Sequence, residues 1–129
     1  KKNNEISPII IGSELSAILG TYIGDIIYII SPFQEPGPFG MLPKVKKFKV
    51  VGIFEIGMYE YDTNLAITSI KAAQEFFKTG DSVTGIEVIL KNIYKATKVR
   101  EKIPQILGKD FYAKDWIQLN RNLFSALKL

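Results

Sequence analysis

Residues 31–49, SPFQEPGPFGMLPKVKKFK, restrict this chain more than any other stretch. They hold four of its six prolines, Pro32, Pro36, Pro38 and Pro43, together with Gly37 and Gly40. Each proline fixes its own φ near about −65° and biases the residue before it toward extended backbone. That excludes a helix or a central strand and predicts a stiff, exposed loop. Such a loop has no need of Phe33, Phe39, Met41 and Leu42 for solubility, whereas aromatic and methionine side chains are enriched where proteins bind partners. Lys44, Lys46, Lys47 and Lys49 follow at once. A rigid, apolar-tipped loop with a basic root reads as a docking device. The competing reading is an ordinary connection whose Phe and Met side chains fold back onto the core.

The rest of the chain must scaffold this stretch. With 129 residues it can form one domain or two small subdomains and bury a core without disulfides. There is no Cys, hence no disulfide, zinc–thiolate site or thiol chemistry. There is no His, which removes the commonest general base and the commonest metal ligand together. The net charge of +4 suits anionic lipid or an acidic partner and argues little for nucleic acid. No apolar run of ~18 residues survives without a charge or a break, so nothing here is expected to span a bilayer by itself. The opening KKNNE leads into no signal-peptide pattern. The last helix is still amphipathic at Leu129, as expected of a piece of a longer protein.

In chain order, Ile9, Ile10 and Ile11 make a β-branched strand that Gly12 breaks. Ser13 is placed as the N-cap of a short helix over 14–19, with Leu15, Ile18 and Leu19 inward and Gly20 as its stop. Gly24 and Asp25 form a turn. Residues 26–30 are apolar throughout, which predicts a strand covered on both faces. After the proline stretch, residues 46–55 form a strand with Phe48, Val50, Gly52 and Phe54 on one face and Lys47, Lys49, Val51 and Ile53 on the other. Residues 57–64 are a loop and 65–68 a short strand. Ser69 caps a helix over 70–78, with Ile70, Ala73, Phe76 and Phe77 inward and Gly80 as the stop. Residues 83–90 alternate as a strand. The spacing of Ile93, Ala96, Val99, Ile103, Ile106 and Leu107 predicts a helix over 93–107, kinked or shortened by Pro104. Residues 111–114 form a short strand. Asp115 and Gln118 make a capping-box pattern for a final helix striped by Trp116, Leu119, Leu123, Phe124 and Leu127. The sum is an α+β chain of two lobes: a mostly β subdomain over 1–81, carrying the proline loop at 31–45, and a β-α-β-α portion of a two-layer α/β subdomain over 82–129.

Motifs for chemistry are sparse. There is no phosphate-binding P-loop, no GxGxxG after a strand and no GxSxG. Glu55, Glu60 and Asp62 could hold a divalent cation through oxygen, but three acids around two tyrosines more often make a solvated turn. Asp110 and Asp115 read as a turn and a helix cap. The lysines at 44–49 could meet phosphates, or could blunt a strand edge against aggregation. An enzyme is the weaker class and a binding or coupling module the stronger, with no metal and no cofactor expected.

Five strings in order, IIIGSELSAILGTYIGDIIYIISP, PFGMLPKVKKFKVVGIFEIGMYEYD, LAITSIKAAQEFF, GIEVILKN and DWIQLNRNLFSALKL, carry a resemblance over nearly the whole chain. Together they resemble the extracytoplasmic loop of the membrane subunits of lipoprotein-releasing ABC transporters, the LolC/LolE family within the wider MacB/FtsX group. The resemblance implies a periplasmic loop on a multi-pass inner-membrane protein, with a β-rich (Sabre-like) subdomain joined to an α/β (Porter-like) one. It also implies a helix leading to the next transmembrane helix, a second permease subunit, a separate cytoplasmic ATPase (LolD-like) and a lipoprotein substrate, with no nucleic acid.

In the LolC type, a proline-bounded hairpin, the hook, captures the periplasmic lipoprotein chaperone LolA beside a surface pad. The resemblance places Pro32, Phe33, Pro36, Pro38, Phe39, Met41, Leu42 and Pro43 in the hook. Lys44, Lys46 and Lys47 form its basic root, and Lys46 sits where the pad has a basic residue. Tyr28 and Val45 depart from that pad, replacing an arginine and a polar residue. A MacB- or FtsX-like coupling domain, engaging an efflux partner or a cell-wall hydrolase, is the rival reading.

Overall fold

The computed structural model describes residues 6–121 and 125; of residues 32–35 it describes the backbone. The chain divides into two compact units, Lys1–Thr84 and Gly85–Leu129. Its class is α+β.

The first unit is built on a four-stranded mixed sheet in the order β2-β3-β1-β4. Strand β1 (Ser7–Gly12) lies parallel to β3 (Gly40–Phe54) and antiparallel to β4 (Ala66–Thr68), while among the described residues β2 (Ile26–Gly37) pairs with β3 alone, antiparallel. The β-branched run Ile9–Ile11 is thus an interior strand, and Ile9 and Ile11 are buried. They meet Phe48 and Val50 of β3 and Ala72 of helix α3 (Ile70–Phe77), with Leu15, Ile27 and Ile29 packed around them. The Phe48 and Phe76 rings meet edge to face, centroids 6.4 Å apart. The core therefore lies on one face of the sheet, under α1 (Ser13–Leu19) and α3.

Several sequence expectations change here. The core lies on one face of the sheet only, so β2 is covered on one side: Ile27 and Ile29 pack on the core while Ile26, Tyr28 and Ile30 are exposed. The β1–β3 register slips between Ile9 and Ile10, placing Gly52 beside Ile10 and Ile53 beside Ile11, which interrupts the alternation expected after Val50. Gly12, not Ser13, is the N-cap of α1, and its side-chain-free site admits the backbone of Asp62. Within α1, Ser16 is buried while Ile18 and Leu19 face outward. Gly20 ends the helix in the left-handed conformation, φ 61, as expected.

Residues 59–64 form a helix, α2 (Tyr59–Asn64), where a loop is expected. Asp62 organises it. Its buried carboxylate accepts the amides of Ile56 at 2.8 Å and Gly57 at 2.9 Å. It is a structural brace and not a solvated turn acid. Ser69 caps α3 as expected, its Oγ accepting from the Ala72 amide at 3.2 Å. Ala72 and Phe76 point inward, Ile70 and Phe77 outward, and the helix stops at Lys78 in the left-handed region, φ 53, two residues before Gly80.

The second unit is helical among the described residues. A 3-10 turn (Ile93–Lys95) leads into α4 (Ala96–Leu107), followed by α5 (Trp116–Leu119). The helix passes through Pro104 to Leu107, because in the last turn a proline removes one hydrogen bond without leaving a long segment to displace. Residues 83–90 and 111–114 form no strands. Alternation specifies a face, but a strand needs a ladder partner, and Ile86 and Ile89 remain 85% and 88% exposed. Asp115 caps α5 through the Gln118 amide at 2.8 Å, which is half of the capping box expected. Leu123, Phe124 and Leu127, expected on the stripe of this helix, lie outside the described residues.

Candidate functional site

The proline stretch is not a loop. It forms the outer half of a long antiparallel hairpin, β2–β3. Beyond the sheet each strand of the hairpin has one neighbour, so a proline's missing N–H leaves no second ladder broken. The prohibition on a central strand holds, while an edge-type hairpin satisfies it. The arm pairs Gln34 with Pro43, Glu35 with Leu42, Pro36 with Met41 and Gly37 with Gly40, turning at Pro38 and Phe39. Pro38 suits the second position of a tight turn. Gly40 takes φ 126, a conformation costly for other residues. A Cβ on Gly37 would meet the Leu42 side chain at 2.5 Å, so Leu42 lies across the space that Gly37 leaves open.

Phe39 stands at this tip, 99% exposed, and Met41 and Leu42 are each more than half exposed beside it. They do not fold back onto the core, which removes the bland reading of their presence. Pro36, Pro38 and Pro43 are exposed along the arm. The backbones of Pro32 and Phe33 belong to β2; their side chains lie outside the described residues.

The arm is jointed. Pairing runs unbroken from Ile26–Lys49 to Ile30–Val45, then resumes at Gln34–Pro43. Three residues of β2, 31–33, stand against one of β3, Lys44, so a bulge separates the sheet-borne half of the hairpin from its tip.

The basic root divides between two faces. Lys47 is exposed on the outer face, its Nζ 5.5 Å from the centre of the Tyr28 ring. Val45 shares that face and is half exposed. Lys44 and Lys46 are half-buried on the face of Phe48 and reach α3. Lys44 Nζ donates to the Glu75 carbonyl at 3.0 Å. Lys46 Nζ pairs with the Glu75 carboxylate at 3.2 Å. Sequence spacing gives no sign of this division, because Glu75 lies about 30 residues downstream and its role depends on where α3 crosses the sheet.

The acidic residues do not converge. Asp62 is committed to backbone amides, and the described residues contain no grouping of three or more carboxylates that could hold a metal ion. In the second unit, Asp115 accepts from Gln118 N, Thr97 Oγ1 at 3.0 Å and Arg100 Nη1 at 3.1 Å. The Gln118 amide, helped by Thr97 and Arg100, holds its carboxyl below the ordinary value of 3.8 against the opposing effect of burial. This site ties α4 to the start of α5.

No family model matches the chain. Among curated proteins it is 32% identical over 121 residues to the lipoprotein-releasing system transmembrane protein LolC of Xylella fastidiosa (strain Temecula1). It is likewise 32% identical over 122 residues to the protein of that name from Neisseria meningitidis serogroup B. Each match covers 94% of this chain. The chain matches LolC proteins over nearly its whole length, which supports a place in the LolC/LolE family. It spans 29% of the length of those relatives and so corresponds to one segment of a LolC-type protein. No helix among its described residues is long and apolar enough to cross a membrane.

Proposed function

We propose that this chain is a periplasmic segment of the membrane subunit of a lipoprotein-releasing ABC transporter, and that its hairpin arm docks a LolA-like lipoprotein chaperone. The observation that carries the reading is Phe39, fully exposed at the end of an arm that projects beyond the sheet. An exposed aromatic flanked by Met41 and Leu42 costs solubility and is suited to an apolar cavity on a partner. Burying such a side chain contributes about 1.5–3 kcal/mol. Pro32, Pro36, Pro38 and Pro43 keep the arm extended before the encounter, which lowers the ordering cost of docking. Lys47, exposed on the outer face of the root, favours an acidic chaperone surface and acts mainly on association rate.

The homology to LolC proteins supports a non-catalytic role beside a separate cytoplasmic LolD-like ATPase and a second permease subunit, on the periplasmic face of the inner membrane. Motion driven by that ATPase reaches the arm through the sheet on which the arm is built, and the lipoprotein passes to the docked chaperone. The test is Phe39→Asp with Leu42→Asp. Both positions are exposed, so the fold should persist while chaperone affinity falls by at least about tenfold. Unchanged affinity sinks the docking assignment.

A further inference from the structure

The root of the arm carries contacts that partner docking does not account for. Lys44 Nζ donates to the Glu75 carbonyl at 3.0 Å, and Lys46 Nζ to the Ala72 carbonyl at 3.4 Å while pairing with the Glu75 carboxylate at 3.2 Å. Lys44 thus caps a carbonyl of the last turn of α3, where carbonyls lack intrahelical partners and the helix dipole is negative, while Lys46 spans from the Ala72 carbonyl in the first turn to the Glu75 carboxylate one turn on. Beneath them lie two core aromatic rings. Lys46 Nζ is 5.5 Å from the Phe48 centroid and Lys44 Nζ 5.7 Å from that of Phe76. Phe48 belongs to β3 and Phe76 to α3, so the lysines, the rings and Glu75 close one unit across the strand–helix boundary.

The position of this unit along the hairpin matters. The bulge at 31–33 lies opposite Lys44, between the pairs Ile30–Val45 and Gln34–Pro43. A break in the ladder is where a two-stranded arm bends most easily, since the pairs on either side no longer constrain each other. Lys44 grips α3 at that joint, and Lys46 grips it two residues away on the sheet side. Lys47, one residue on, points to the opposite face and lies over Tyr28.

We propose that Lys44, Lys46 and Glu75 form a latch that fixes the angle of the arm against α3, so that Lys44 and Lys46 are positioning residues and not chaperone contacts. The inference rests on the docking reading above for its consequence, but the latch itself is a property of this chain. It makes α3 the element through which displacement of the sheet's helical layer would swing the tip.

A cycle of Lys46→Met, Glu75→Gln and the double variant tests it with two readouts. The first is amide hydrogen exchange over residues 39–47 in the chain alone. Each single variant should speed exchange in the arm by up to about fivefold, the range of a partly exposed ion pair, and leave the Ile9–Ile11 amides unchanged. The second is affinity for a purified lipoprotein chaperone. Under the latch both single variants weaken binding, and the double variant is no worse than the weaker single, because the two side chains act as one unit. A Lys46 that touches the chaperone directly gives a different pattern: Lys46→Met weakens binding, and Glu75→Gln leaves it unchanged or tightens it by releasing the ammonium. That pattern, or unaltered exchange in both single variants, overturns the latch. If the parent chain binds no chaperone, the docking reading fails and the exchange measurement still decides the latch.

Discussion

At Gly12 the absence of a side chain has a direct steric purpose. A Cβ there would land on the carbonyl of Asp62, where α2 crosses the junction of β1 and α1. Backbone cannot move aside as a flexible side chain can, so Gly12→Ala should destabilise the chain by about 1–3 kcal/mol, the usual cost of overpacking. A lowered urea midpoint with unchanged slope is the expected result. Asp62 has the complementary role. Truncating it to Ala removes two part-buried hydrogen bonds from the Ile56 and Gly57 amides to a carboxylate, at a cost of about 1.5–3 kcal/mol. At this scale the sequence is only partly informative. The stop at Gly20 and the cap at Ser69 are local and legible. The need for Gly12, and the burial of an aspartate in what looks like a polar loop, depend on a crossing between distant segments that no spacing rule contains.

At the scale of elements, Asp115 couples α4 to α5. Its carboxyl titrates below its ordinary value in the folded chain, so the carboxylate form is the stabilising one. That stabilisation is complete above the unfolded value of about 3.9 and is lost as pH falls through the lower folded value. The expected outcome is that Asp115→Asn lowers thermal stability near neutral pH, and that the gap between variant and parent narrows below about pH 3.9. Thermal scans of both proteins across pH 2–7 check this. The arm shows what an element can hide. Its prolines exclude a helix and a central strand, and both exclusions hold, yet the same residues fit a hairpin whose strands each have one neighbour. Residues 83–90 err in the opposite sense. Their alternation is real, but no described strand pairs with them, so the pattern marks a face without a partner. Gly40→Val should loosen the tip, because a β-branched residue resists φ 126. Faster amide exchange at residues 36–42, with the sheet core unchanged, is the expected signature.

At the scale of the whole molecule, two units carry unequal parts of the account. The first presents the arm on a sheet whose core is sealed by α1 and α3; the second is organised around Asp115. The apolar side chains that sequence reasoning singled out, Phe39, Met41 and Leu42, are those left outside the core, and the order of motifs along the chain was enough to point to the family. The split of the lysines between α3 and the outer face was not legible, since it follows from where α3 packs.

The most direct measurement is a calorimetric titration of this chain with a purified periplasmic lipoprotein chaperone, beside a variant in which residues 36–42 are replaced by Gly and Ser. The account predicts binding by the parent and none by the variant, with both folded. Equal binding by the two would take the arm out of the interface, and no binding by the folded parent would contradict the docking role itself.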